Sequence, residues 1–229
     1  FCHPIAGCVA YQGYFEHTDA LNFAEALETR GFETSVGPVA AYSTLGWFSD
    51  PVLSSVLHYP DAQLAELVFH ELAHELLFVP DDTTFNESFA TFVARAGVER
   101  WLTDSGRASE LKEFRRDTGR QDATVNLIRN TRMCLDELYT SPIQETDKRR
   151  QKDLILDELM TKYFEMRKTG TVSNWDRWFE EGLNNAKLAS VGSYHDDVGL
   201  FAALFEQSNG DFAAFYQSAR AYAIRSGSP

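Results

Sequence analysis

The chain has 229 residues, with 21 basic and 34 acidic side chains for a formal charge of −13, and 44% of its residues are hydrophobic against 24% charged. That length and composition fit one folded domain with a full core of its own, and exclude wholesale disorder, a collagen-like repeat and a miniprotein held by disulfides. The acidic balance repels phosphate, so nucleic acid and anionic membrane surfaces are not expected partners, and no apolar run reaches the ~18 residues of a membrane-spanning helix.

The first forty residues predict a β-α-β arrangement. Cys2 and Cys8 flank a short segment. A bridge between them would imply an oxidising compartment; two thiols in a terminal strand fit the residues equally. Residues 8–15 alternate and are rich in β formers. Thr18 is placed to cap a helix with Leu21, Ala24 and Leu27 on its apolar face, and Gly31 to stop it. Residues 32–36 and 39–45 predict further extended segments, followed by a turn over 46–51.

From Asp61 the periodicity is helical. A helix is predicted from Asp61, its N-cap, to about Phe78, ahead of Pro80. After a loop over 80–84, a second helix covers 85–102. Later helices are expected over 106–118, 122–139, 145–168, 173–189, 195–207 and 210–224, punctuated by Gly106, Gly119, Pro142, Gly170 and Gly210. Cys134, among apolar neighbours, is expected to be a small core residue. The basic run 147–152 reads as a solvated helix face.

One segment carries chemistry: His70-Glu71-Leu72-Ala73-His74. On a helix, positions four apart share a face one turn apart, so both imidazoles can reach one Zn²⁺. Glu71, beside the first histidine, can take a proton from a water activated by the metal. A catalytic zinc takes three protein ligands and keeps a fourth position open. Glu87 follows His74 after 12 intervening residues. It lies in the first turn of a helix that can fold back on the first, which makes it the expected third ligand. Its competing reading is a first-turn glutamate favoured by the helix dipole.

His70-Glu71-Leu72-Ala73-His74 followed by Asn86-Glu87-Ser88-Phe89-Ala90 resembles the gluzincins, zinc metallopeptidases whose ligand glutamate often sits in an Asn-Glu-x-x-Ala setting. The fuller pattern is similar to a bacterial family of predicted aminopeptidases. It comprises the segment from Cys2 to Val9, the run Tyr42 to Phe48, Asp50-Pro51, the zinc segment, Asn184-Asn185-Ala186 and Tyr194. The resemblance implies zinc-dependent peptide hydrolysis, an aminopeptidase activity, a peptide or protein substrate and a setting in the bacterial cell envelope or periplasm, with the cytoplasm as alternative. Members often carry lipoprotein signals, and a chain that begins at Phe1 has the pattern of a processed or truncated product. The expected fold is α+β, mainly α-helical, with a small N-terminal β-sheet packed on a zincin-like helical core. It is expected as a single domain over 1–229, with a β-rich substrate side over 1–59 and a helical zinc-binding portion over 60–229.

The pattern departs from the gluzincins in three respects. The gap before Glu87 is shorter than usual. Thr91 stands where some members place an aspartate that supports a histidine, which leaves Asp81 or Asp82 for that task. A Gly-x-Met-Glu-Asn motif for gripping a substrate amine is missing. For oxyanion stabilisation the candidates are Tyr194 and His195, against the alternative of a helix start with Asp196 and Asp197 in its first turn. Asn184 and Asn185 either donate to substrate carbonyls or cap and pack. Residues 42–45 are either an edge strand that pairs with an extended peptide or a core strand. His3, His17 and His58 lack partner spacing, and Trp175, Trp178 and Phe179 are spaced as core. The readings to separate are a zinc aminopeptidase, a zinc endopeptidase and a non-catalytic zinc-containing peptide-binding module. Retention of Glu71 and the lack of a nearby cysteine favour catalysis.

Overall fold

A computed structural model describes residues 1–3, 7–8, 11–37, 56–168, 175–195 and 197–225, without the side chains of 2–3, 7–8 and 192–195. Among the described residues the fold is helical, and the small N-terminal β-sheet packed on a helical core that the sequence predicted is not present. Extended pairing among the described residues amounts to β1 (Cys2–His3) antiparallel to β2 (Gly7–Cys8), two residues on each side, with Cys2 opposite Cys8. Residues 11–14 and 32–36 do not join it. The reason is visible in their side chains. Tyr11, Phe15, Phe32 and Val36 are all exposed. Alternation makes a strand only where further strands or a helix cover its apolar face, and an isolated hairpin is marginal in water. The expected segments at 39–45 and 46–51 lie outside the described residues.

Among the described residues the helices are α1 (His17–Glu28), α2 (Asp61–Leu76), α3 (Thr83–Asp104), α4 (Ala108–Thr140), α5 (Glu145–Arg167), α6 (Trp175–Glu180), α7 (Asn185–His195), α8 (Val198–Gln207) and α9 (Phe212–Arg225). Helix α1 starts without a side-chain cap, so Thr18 does not play the predicted role; Gly31, at φ 86°, does supply the stop. Helix α4 continues through Gly119, where the sequence predicted a break. One glycine costs a helix interior only about 1 kcal/mol, and burial of Phe114, Val125 and Ile128 on either side of it offsets that. The helix predicted over 173–189 is instead two, α6 and α7, separated at Gly182 with φ 91°. Cys134 is exposed on α4 and is not a core residue.

The chain gathers into two compact units. The first comprises residues 1–15, 37–115 and 193–229, and the second 16–36 and 116–192. In the first, α2 and α3 form a helical hairpin whose cross-pairs run antiparallel. His70 faces Glu87, Arg95 lies 3.7 Å from Glu66, and Arg107 beyond α3 bonds Asp61 at 2.9 Å. Gly97 allows the close approach, since a Cβ there would lie 2.9 Å from the Phe69 ring. Helices α8 and α9 cover α3 with an aromatic core of Phe85, Phe89, Phe201 and Phe215. A smaller cluster of Val98, Leu102 and Phe114 closes the other end. The second unit is built on Val125, Ile128, Leu135, Leu138, Leu156, Leu159, Tyr163, Phe179, Leu188 and Val191.

Candidate metal centre

Helix α2 carries the two histidines and α3 the glutamate. The connection between them, residues 77–82, is short, and three devices hold it. At the end of α2, Arg220 donates to the Leu76 carbonyl at 2.7 Å, satisfying a C-terminal acceptor that has no partner within the helix. At the start of α3, Asp82 accepts from the Phe85 amide at 2.9 Å, an ordinary N-cap. Between them Asn86, itself buried, donates to the Val79 carbonyl and accepts from the Val79 amide, both at 2.7 Å. Buried backbone groups must find partners, and Asn86 meets both needs of Val79 with one side chain. The residue before Glu87 therefore fixes the loop that sets the register of α3 against α2.

Because α3 begins at Thr83, Glu87 is its fifth residue and lies beyond the predicted first turn. The helix-dipole explanation, which acts within the first turn, loses its force there. Instead Glu87 is buried on the face turned to α2. Its Oε2 lies 3.2 Å from His70 Nε2 and 3.8 Å from His74 Nε2. The imidazole rings of His70 and His74 sit edge to face, with centroids 4.9 Å apart. One ligand atom from each of the three residues falls within 4.8 Å of the others, so the group can hold a metal ion. Donors of a tetrahedral zinc site, with bonds of about 2.0–2.2 Å, lie about 3.3–3.6 Å apart, close to the two separations here.

The electrostatics agree with this donor set. Burial lowers the pKa of His74 to about 4, helped by the neighbouring His70 and opposed by Glu87. At neutral pH its imidazole is uncharged, the state a metal ligand needs. Burial pushes Glu87 upward, but the hydrogen bond to His70, the charges of both histidines and the Tyr11 hydroxyl together hold it below the ordinary carboxylate range. The Nδ1 of His74 is buried without a hydrogen-bond partner among the described residues.

Tyr11 is the neighbour that the sequence reading missed. Its hydroxyl donates to Glu87 Oε1 at 3.1 Å. The pair is separated by 76 residues, and nothing in the local pattern of the first fifteen residues marks Tyr11 apart from Tyr14. Glu87 thus takes a supporting partner from the N-terminal segment. Asp82 caps α3, and Asp81 adopts the left-handed conformation at φ 65° in the loop.

The other predicted residues fall as follows. Glu71 is half-buried on α2, one residue and about 100° of helix from His70. Tyr194 and His195 end α7 rather than starting a helix; their side chains lie outside the described residues, as does the segment 42–45. Asn184 donates to the Thr34 carbonyl and accepts from the Lys187 amide, and Asn185 accepts from the Tyr139 hydroxyl. That pair caps and packs. His17 and His58 are exposed, and Trp175, Trp178 and Phe179 belong to the core of the second unit.

No helix among the described residues is long and apolar enough to cross a membrane. Neither the curated proteins nor the solved structures contain a match to the chain. A family model does match, over residues 1–226, and the chain belongs to the family described as "Putative aminopeptidase".

Proposed function

We propose that this chain is a zinc-dependent peptidase that removes N-terminal residues, with His70, His74 and Glu87 holding the metal. The observation that carries the reading is the convergence of two Nε2 atoms from one helix on a single buried carboxylate oxygen of the next. The family description supplies the peptidase class. When bound, Zn²⁺ polarises a carbonyl and lowers the pKa of a coordinated water to about 7.

The chain's own groups do the rest. Three protein donors leave the fourth position of a tetrahedral site open, which a structural zinc would fill with a further side chain. Glu71 takes a proton from the attacking water and delivers it to the leaving amine as the C–N bond breaks. Tyr194 or His195 donates a hydrogen bond to the oxyanion. The net charge of −13 favours approach of a substrate with a protonated amine.

The test is metal analysis of the purified protein, followed by digestion of matched peptides with free and acetylated N-termini. The expected result is one zinc per chain and stepwise release from free N-termini. Failure of the protein to retain zinc from a buffered solution overturns the proposal. Internal cleavage of the acetylated set replaces the aminopeptidase with an endopeptidase.

A further inference from the structure

We propose that Tyr11 is a positioning residue that confines Glu87 to coordination through one oxygen and so keeps a position of the metal open. The inference rests on the metal reading above. A carboxylate has two oxygens and about four lone-pair sites, and it binds metals through one oxygen or through both. Glu87 divides its two oxygens between different tasks. Oε2 faces the Nε2 atoms of His70 and His74, whereas Oε1 accepts the Tyr11 hydroxyl.

A hydroxyl donating to an ionised carboxylate makes a charge-assisted bond, stronger than a neutral pair. Rotation of Glu87 to bring Oε1 onto the metal has to break it. Without the phenol, Oε1 has no such restraint, and two-oxygen coordination takes the position that a water needs. Tyr11 is 50% exposed, so the residue contributes little to the core. Its hydroxyl reaches a helix that lies far along the chain yet in the same compact unit. Partners of this kind around metal ligands characteristically change metal affinity or activity 10–100-fold when removed.

The test uses Tyr11→Phe, which removes only the oxygen, beside His74→Ala and the unmodified chain. Each is titrated with Zn²⁺ against a competing chelator, and each is loaded with Co²⁺ for visible spectroscopy. The expected result for Tyr11→Phe is an unchanged circular dichroism spectrum, zinc affinity altered 10–100-fold, and weaker cobalt d–d bands, the signature of a change from four to five donors. An unchanged cobalt spectrum overturns the proposal whatever the affinity does, because it reduces Tyr11 to a clasp for the N-terminal segment. Failure of the metal reading itself looks different: the unmodified chain then takes up no zinc, or His74→Ala binds it equally well.

Discussion

The two compact units of this chain bury polar groups in different ways. In the second, Thr124 and Thr131 are buried, but each hydroxyl returns to a carbonyl four residues back on its own helix. Lys187 is buried against the Trp178 ring and lies 3.6 Å from Glu181. These are local settlements around an apolar core. In the first unit, His74, Asn86, Glu87 and Ser88 lie in one stretch of the α2–α3 hairpin, and their partners come from other elements. Asn86 serves Val79, Ser88 accepts from the Asp197 amide, and Glu87 meets α2 and Tyr11. Burial of a polar side chain costs free energy unless it is paired. Polar burial that recruits partners from several elements, and still leaves a histidine nitrogen unsatisfied among the described residues, is what the proposed metal site would require.

The largest expected effects test that distinction directly. His74→Ala or Glu87→Ala should reduce zinc from one equivalent to a small fraction, with peptidase activity lost, as read by metal analysis and a peptide assay. Full zinc content in a folded Glu87→Ala protein would remove Glu87 from the ligand set. Glu71→Gln should separate binding from chemistry, keeping zinc while activity falls by at least about 10²-fold. Activity near that of the unmodified chain would give the proton transfer to another group.

The next effect is pH-dependent and belongs to the metal-free protein. His74 has a pKa of about 4 when folded, against 6.5 ordinarily. Between those values the unfolded chain binds more protons than the folded one, so stability rises with pH through that window. The contribution is full above about 6.5, is lost as pH falls to about 4, and is on the order of 3 kcal/mol. Glu87, lowered when folded, acts in the same direction, losing its contribution as pH falls through the carboxylate range. Urea unfolding after chelation, measured from pH 4 to 7, should show this slope, and His74→Gln should flatten it. A slope unaffected by that substitution would place the titrating group elsewhere.

Asn86→Ala comes next. It leaves the Val79 amide and carbonyl without their partner, at about 1–3 kcal/mol for a buried group and less where water enters, so about 2–3 kcal/mol in total. Zinc affinity should fall with stability, because the same loop sets the register of Glu87. Loss of stability with undiminished zinc affinity would mean that α3 is held in register by its apolar face alone.

The grouping of His70, His74 and Glu87 was legible in the sequence because its information is local. His70, Glu71 and His74 are read from helical spacing, and Glu87 from a short connection between two strongly periodic segments. The N-terminal portion was misread because alternation reports only what a strand would bury, and among the described residues there is no larger sheet for it to join; Tyr11, Phe15 and Phe32 stay exposed. Gly119 was misread because a glycine's local cost is smaller than the burial on either side of it in α4. Tyr11 was not legible at all. Its bond to Glu87 spans 76 residues, and no periodicity encodes such a separation.

The smallest predicted effect is a control in the second unit. Tyr163 is buried, stacks on Phe179 with centroids 3.8 Å apart, and donates to Asp176 at 2.6 Å. On its face this resembles Tyr11 with Glu87, a phenol donating to a carboxylate. The surroundings differ, because Asp176 also pairs with Arg167 at 2.8 Å. In Tyr163→Phe the ring stays stacked and the carboxylate keeps its cation. The loss should therefore be one hydrogen bond to a charged group, about 1–2 kcal/mol, read as a lower midpoint in urea. Zinc affinity and the cobalt spectrum should not change. A cobalt spectrum that responds to Tyr163→Phe as it does to Tyr11→Phe would show that any loosening of the fold disturbs the metal, and the contrast between the two units would then lose its meaning.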